Sequence, residues 1–172
     1  MQNSNGAVTI TLLGAALPYR HRSALTGHRY LPARQRDQLA ALRLAASEAM
    51  DGRTMFDEPL MLDLQLDVPI PRSWSRRKQE AALQGLLLPG SRPDLTNVLK
   101  LCEDACTAIV FRDDSLVCMQ QTFKRYGLQP KIMLTVRAVE HGRGEGPVPG
   151  WAEALRRSHL EQQNTNGFDC RP

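Results

Sequence analysis

The residues best suited to chemistry lie between positions 91 and 115 of the chain. This stretch contains four aspartates, Asp94, Asp104, Asp113 and Asp114, and the lysine Lys100. Adjacent carboxylates repel one another unless they are solvated or bound to a cation, so such groups often mark sites for divalent metals. Hydrolysis of a phosphodiester needs acids to hold a metal and a cation to balance phosphate charge. The stretch therefore predicts a metal-dependent phosphoryl-transfer site.

A helix over roughly residues 94–109 would position these side chains. Its apolar stripe consists of Val98, Cys102, Ala105 and Ile109. A second, polar face at helical spacing consists of Asn97, Lys100 and Asp104. Asp94 stands at the helix start and the Asp113-Asp114 pair follows its end, so packing against a sheet could bring both groups together.

The same acids have a simpler interpretation. Asp94 could serve only as a helix cap, and Asp113-Asp114 could form only a turn, because both are common uses of aspartate. Taken one at a time, the residues favour this interpretation. Only their combined spacing favours a metal site.

Hydrophobic periodicity predicts a single α+β domain, in which a mixed sheet packs against helices in the order β-α-β-α-α-β-β. Strands are expected at about 8–12, 60–68, 115–123 and 131–139. A first helix is expected at about 34–50, with Asp51-Gly52 as its stop signal. Two more are expected, one that Ser73 or Ser75 caps and that runs to about 84, and one at 94–109. The basic stretch 17–30 has neither the helical nor the strand periodicity of apolar residues, and it is predicted to be an exposed loop.

The end of the chain differs in composition from the rest. Residues 1–140 are expected to form the folded domain. Residues 141–172 are expected to form a Gly/Pro linker and a C-terminal tail, which is either disordered or a short helix near residues 151–162.

Composition narrows the class of protein. With 172 residues, 42% hydrophobic and 23% charged, the chain is long enough to bury one core without disulfides. Aromatic residues make up 5%, too few for a protein that works mainly by stacking on single-stranded bases. No apolar run approaches the roughly 18 residues of a membrane helix, and the first residues are polar. We therefore predict a cytoplasmic protein that does not enter a membrane.

Two of the four cysteines, Cys102 and Cys106, would share a helix face and could be taken for half of a zinc site. No second closely spaced Cys or His pair supplies the remaining ligands, and both cysteines have apolar neighbours. Reduced, buried thiols are the better interpretation.

Positive charge is grouped along the chain, whose net charge is +4. Residues 1–50 contain six arginines, and Arg76, Arg77 and Lys78 fall in the first turn of the second predicted helix. Cations there oppose the helix dipole, which suggests a role other than helix stability. The grouping favours a polyanionic partner, although an ordinary solvated surface would also explain it.

The whole pattern resembles the signature of the RusA-type Holliday junction resolvases. That signature has a basic residue and Pro, then Asp-x-Asp-Asn-x-x-Lys, an Asp-Ala on the same helix, and an Asp-Asp that opens a strand. This chain matches it with Arg92-Pro93, Asp94, Asn97, Lys100, Asp104-Ala105 and Asp113-Asp114. The resemblance covers about residues 8–140 and includes Pro69-Ile70-Pro71 and the segment 73–78.

The resemblance implies a Mg²⁺-dependent endonuclease, with Mn²⁺ as a second candidate, that cuts four-way DNA junctions as a homodimer in recombination and repair. It implies that Asp94 and Asp114 are catalytic metal ligands, that Asp113 is a third ligand and that Lys100 is the catalytic cation. Accessory roles are expected for Thr96, Asn97 and Asp104. Contacts to DNA are expected from Arg20, Arg22, Arg29, Arg76, Arg77 and Lys78.

One residue departs from the signature. Thr96 stands where the best-studied members have the second acid of the Asp-x-Asp pair, and a hydroxyl binds a divalent ion far more weakly than a carboxylate. Phage-type relatives that share this threonine favour retained activity. Two alternatives stay open: a junction-binding protein without nuclease activity, and a nuclease for flaps or branched DNA in general.

Overall fold

The computed structural model describes residues 6–17, 22–23, 29–30 and 32–139 of the chain. Their elements are β1 (Val8–Leu13), β2 (Arg22–Ser23), β3 (Arg29–Tyr30), α1 (Ala33–Met50), β4 (Leu60–Pro69), α2 (Arg76–Leu83), α3 (Leu95–Cys106), a 3-10 helix (Asp114–Leu116), β5 (Val117–Gly127) and β6 (Lys131–Ala138). The predicted α+β class and the element order are confirmed. The structure adds the short β2–β3 pair within the stretch predicted to be a loop.

Four strands form one mixed sheet in the order β1-β6-β4-β5. β4 pairs with β6 in antiparallel and with β5 in parallel orientation, and β1 closes the other edge antiparallel to β6. Parallel neighbours cannot be joined by a tight turn, so the chain needs a long crossover between β4 and β5. The helices α2 and α3 form that crossover.

One face of the sheet carries the hydrophobic core. The alternating leucines of β4 all point to it, and Leu60, Leu62, Leu64 and Leu66 are 0% exposed. Leu42 and Ala46 of α1 and Val98 and Cys102 of α3 belong to the same buried cluster. Because full burial of each such side chain stabilises the fold by about 1.5–3 kcal/mol, this face fixes the register of β4.

The opposite face of β4 contains a buried charge. The Asp67 side chain is 6% exposed and accepts hydrogen bonds from Arg125 Nε at 2.8 Å and Gln65 Nε2 at 2.9 Å. Lys131 Nζ lies 3.7 Å away. Burial alone would raise the Asp67 pKa, but these hydrogen bonds and cations outweigh it and lower the pKa below its usual value.

Two helix boundaries follow the local sequence. α1 ends at Asp51 and Gly52, which adopt the left-handed conformation with φ of 44° and 75°, as predicted for a helix stop. α2 begins after Ser75, one of its two predicted caps, although the Ser75 side chain makes no capping hydrogen bond. In the described part of the chain, no helix combines the length and apolar composition of a membrane span.

The cysteines of α3 behave as predicted. Cys102 and Cys106 are buried and free. Burial raises the pKa of both thiols, that of Cys106 to about 12, so at neutral pH they stay protonated. Cys118 is exposed, and the tail expected from residue 141 onwards lies outside the described residues.

Replacing Asp67 by Asn should destabilise the fold. The change leaves Arg125 and Lys131 without their anion, and we expect the free energy of unfolding at pH 7 to fall by about 1.5–3 kcal/mol. Urea denaturation measures this change. Because the folded-state pKa is lowered, the stabilisation is present above the unfolded pKa and disappears as pH falls, so the difference should shrink below about pH 4.

Asp63→Asn is the matched control, since Asp63 lies on the same strand and face but makes no hydrogen bond or ion pair with any described residue. Its stability should change by no more than about 0.5 kcal/mol. Equal losses in the two variants would contradict the role given to the Asp67 network.

Candidate active site

Asp94 forms the N-cap of α3. Its Oδ1 accepts a hydrogen bond from the Thr96 backbone N–H at 3.0 Å, and its carbonyl accepts one from Val98 at 3.1 Å. The side chain is exposed and its second oxygen accepts no hydrogen bond from a described residue. The cap role considered for Asp94 is therefore confirmed, and one carboxylate oxygen stays available.

α3 ends at Cys106, three residues earlier than predicted, because the chain reverses there. Ala108 adopts the left-handed conformation with φ of 62°, and the N–H groups of Ile109 and Val110 both donate to the Cys106 carbonyl. Phe56, just before β4, fixes the reversed segment by donating to the Val110 carbonyl at 2.8 Å and accepting from Arg112 at 3.3 Å. The reversal directs the chain back along α3.

Asp113 and Asp114 follow this reversal but have different partners. Asp113 Oδ1 accepts from the Ser115 N–H at 3.0 Å and caps the short 3-10 helix. That side-chain hydrogen bond lowers the Asp113 pKa. Asp114 instead reaches α3, where its Oδ2 accepts from Lys100 Nζ at 2.9 Å.

Lys100 stands among three carboxylates, which we call the Lys100 cluster: Glu103, Asp104 and Asp114. The distances from Lys100 Nζ are 3.8, 3.2 and 2.9 Å, respectively. The hydrogen bond to Asp114 raises the Lys100 pKa, burial opposes the rise, and Asp104 adds to it. Lys100 is therefore a permanent cation at neutral pH, and its side chain is 49% exposed.

Sequence reasoning missed Glu103 and its partner on β5. Gln120 Nε2 donates to Glu103 Oε1 at 2.6 Å, and burial raises the Glu103 pKa. One available signal was the i,i+3 spacing of Lys100 and Glu103, which places the two side chains side by side on a helix. Gln120 gave no local signal, because its contact spans 17 positions of the chain.

The predicted metal ligands are not drawn together by direct contacts. No hydrogen bond or ion pair among the described residues joins Asp94 or Asp113 to the Lys100 cluster, and no three Asp, Glu, His or Cys side chains of that part of the chain form a ready-made metal site. The donors nevertheless suit Mg²⁺, which takes carboxylate oxygens and often needs only one or two, with water and substrate phosphate completing the shell. Asp94, Asp113 and Asp114 all offer exposed carboxylates.

The accessory candidates lie along the same helix. Thr96 is exposed and uses its backbone N–H to hold Asp94, and Asn97 is partly buried. Asp104 belongs to the Lys100 cluster. α3 thus carries the predicted site residues 94–104, while the turn after it carries the remaining acids.

The basic start of α2 is exposed at Arg76, Arg77 and Lys78. Lys78 Nζ lies 4.0 Å from the centre of the Trp74 ring, and Trp74 packs edge-on against Tyr126 of β5 at 5.2 Å. The aromatic pair anchors this turn to the sheet. Of the other predicted DNA contacts, Arg22 and Arg29 belong to the β2–β3 pair and Arg20 lies outside the described residues.

The exposed cations of α2 can contact phosphates, and the acids and lysine of α3 can serve a phosphoryl-transfer site, so the two helices together suit a protein that handles phosphate polymers. The comparison with known families places the chain within this class. The family model described as Endodeoxyribonuclease RusA matches residues 18–137. The chain therefore belongs to the RusA family, which is described by an endodeoxyribonuclease, an enzyme that hydrolyses DNA phosphodiester bonds.

A curated relative extends the comparison. The chain is 33% identical over 88 residues to the uncharacterized protein YqaN of Bacillus subtilis (strain 168). The match covers 50% of this chain and 62% of YqaN, so it spans less than two thirds of that relative's length.

The contact between Lys100 and Asp114 should contribute measurably to stability. We expect a double-mutant cycle of Lys100→Met and Asp114→Asn to give a coupling of about 0.5–1 kcal/mol, because the pair is half exposed, and a smaller value in high salt. Denaturant unfolding of the wild type, both single variants and the double variant measures it.

The pair Arg112–Asp57 provides the control. Its atoms lie 3.1 Å apart, but the side chains are 66% and 62% exposed, so its coupling should be smaller. A vanishing coupling between Lys100 and Asp114 would show that the contact does not form in solution.

Proposed function

We propose that the chain is a divalent-metal-dependent endonuclease that resolves four-way DNA junctions as a homodimer, with Mg²⁺ as the metal and Mn²⁺ as a substitute. Membership of the RusA family supports the reaction class. The single observation that carries the proposal is the 2.9 Å contact between Lys100 and Asp114, two signature residues separated by 14 positions. Symmetric cutting of a junction requires two sites related by a two-fold axis, which a homodimer supplies.

Lys100 is suited to the role of an electrostatic catalyst. Its raised pKa keeps it protonated, so it cannot act as a general base, but an ammonium can offset charge that builds up on a phosphate or a leaving oxygen. In the absence of substrate that charge is balanced by Asp104 and Asp114. Its 49% exposure leaves it accessible to a phosphate.

Asp94 and Asp114 would hold the metal, with Asp113 as a third carboxylate. When bound, the ion supplies Lewis-acid polarisation of the phosphate and a lower pKa for water. The cap hydrogen bond from Thr96 holds Asp94 in one orientation while its other oxygen stays open. A metal and Lys100 would share the Asp114 carboxylate, which now accepts a hydrogen bond from Lys100, so we expect the two cations to compete for it.

The exposed start of α2 would hold the DNA arms. Arg76, Arg77 and Lys78 can contact phosphates without reading base sequence, which suits a substrate defined by its branched shape. Arg22 and Arg29 of the β2–β3 pair, together with Arg20, would add further phosphate contacts. Such contacts account for binding but not for cutting.

A junction-binding protein without nuclease activity is the second candidate. It is favoured by Thr96, whose hydroxyl replaces an acid, and by the pairing of Asp114 with Lys100. A nuclease for flaps and branched DNA in general is the third. Incubation of the full chain with a labelled four-way junction and a labelled flap, each with and without magnesium, separates these functions. Paired, magnesium-dependent cuts in the junction support the proposal, whereas binding without cuts overturns it in favour of the second candidate.

Asp94→Asn and Asp114→Asn should each reduce junction cutting by about a hundred-fold or more, since each removes an anionic ligand from a site that has Thr96 in place of an acid. Junction affinity without magnesium should stay the same or rise slightly, because an acid facing phosphate has been neutralised. Asp63→Asn is the matched control on the other face of the sheet and should cut at the wild-type rate. Wild-type rates in both site variants would refute the metal assignment.

Thr96→Asp should lower the magnesium concentration needed for half-maximal cutting, because it restores the second acid of the signature. The magnesium titration is run with wild-type protein in parallel. An unchanged or higher requirement would show that position 96 does not face the metal.

The basic start of α2 should control the salt dependence of junction binding. Changing Arg76 and Arg77 to Ala should flatten the slope of log K against log salt by up to roughly two, or about 0.9 for each phosphate that the protein no longer neutralises. Lys131→Ala with Arg137→Ala removes equal charge from β6 and should leave the slope unchanged. Equal slopes for all three proteins would mean that α2 does not face DNA.

A further inference from the structure

Lys124 of β5 holds the segment that leads into α3. Its Nζ donates to the Ser91 carbonyl at 2.6 Å and to the Pro93 carbonyl at 3.1 Å. The side chain is partly buried, and no carboxylate of the described residues lies within 4.0 Å of its ammonium. The Lys124 ammonium therefore donates hydrogen bonds to backbone carbonyls that lie 31 and 33 positions away in the chain.

The two carbonyls lie directly before the candidate active site. Pro93 is bonded to Asp94, whose side chain caps α3 and whose carbonyl accepts from Val98. A residue of a loop has few means of fixing its orientation, because loops lack the regular hydrogen bonds of helices and strands. The lysine on the neighbouring strand supplies that restraint from outside the loop.

A second tie holds α3 further along. Gln120 lies four residues before Lys124 on β5, so both side chains point to the same face of the sheet, and Gln120 donates to Glu103 at 2.6 Å. Two side chains of β5 thus form hydrogen bonds here, one to α3 and one to the segment before it. Only the Lys124 tie acts on the backbone next to Asp94.

We propose that Lys124 is a positioning residue, which sets the Asp94 carboxylate by holding residues 91–93. The effect on cutting rests on the proposed function, but the effect on the Asp94 cap does not. Groups that orient a metal ligand without touching the metal typically change metal affinity or activity 10–100-fold when they are removed. Neither the sequence pattern nor the resemblance to the family pointed to this lysine.

Lys124→Met tests the proposal, because methionine keeps an unbranched apolar stem and removes the ammonium. Amide hydrogen exchange of the full chain, followed by NMR, should become at least several-fold faster at Thr96 and Val98, the two N–H groups that donate to Asp94. Exchange at Thr107, which donates to the Glu103 carbonyl at the far end of α3, should stay unchanged.

The same variant should need about ten-fold more magnesium for half-maximal junction cutting, while cutting at saturating magnesium approaches the wild-type rate. Junction affinity without magnesium should stay within about two-fold of wild type. A purely structural defect would instead lower the saturated rate, and denaturant unfolding checks that the variant is folded. Lys131→Met, in which a lysine of β6 near Asp67 is changed, is the matched control and should alter neither exchange at Thr96 nor the magnesium requirement.

Unchanged exchange at Thr96 and Val98 would overturn the proposal, whatever the enzyme does. Weaker junction binding with an unchanged magnesium requirement would also overturn it, since Lys124 would then be a phosphate contact. If the wild-type chain cuts no junction, the proposed function fails, and the exchange experiment still decides whether Lys124 positions Asp94.

Discussion

The parallel pairing of β4 with β5 is the constraint on which the site depends. Because two parallel neighbours must be joined by a crossover, the chain after β4 has to return along the sheet before β5 can begin. α3 makes that return, packed on the apolar face by Val98 and Cys102. Its polar face is thereby placed beside the start of β5, where Asp114 meets Lys100. Lys100 and Asp114, which are 14 positions apart, are therefore neighbours through topology rather than through sequence distance.

Electrostatics then decides how this arrangement persists without substrate. Three carboxylates surround one ammonium. Water screens the charges of the more exposed Asp104 and Asp114, whereas Glu103 is largely buried. Gln120 compensates by donating to Glu103 at 2.6 Å. Carboxylates that lie close together repel one another in the free protein, and a bound cation relieves that repulsion. The same repulsion that weakens the cluster as a structural element suits it to a metal-dependent reaction.

Sequence reasoning predicted those features that have a local cause. The leucine alternation of β4, the end of α1 at Asp51 and Gly52, and the polar face of α3 all follow from periodicity or turn chemistry within a few residues. The end of α3 was predicted three residues too late, because Ile109 continues the apolar periodicity of the helix. The helix is instead ended by a chain reversal, which Phe56 holds through hydrogen bonds from outside the helix. The contacts of Gln120 and Lys124 were likewise invisible, since their partners lie 17 and 31 or more positions away. The sequence shows the types of these residues, but it does not show which of them lie close together across the sheet.

Asp94 shows that one residue can be both a helix cap and a proposed metal ligand. A carboxylate has two oxygens and about four lone-pair sites, and the cap hydrogen bond from Thr96 uses only one of them at Oδ1. Capping fixes the orientation of the group, and an oriented carboxylate loses less freedom when it binds a cation than a freely rotating one does. The helix cap is therefore a form of preorganisation for the proposed ligand. Thr96, which departs from the family signature in its side chain, contributes to the site through its backbone N–H, a role that any residue except proline can fill.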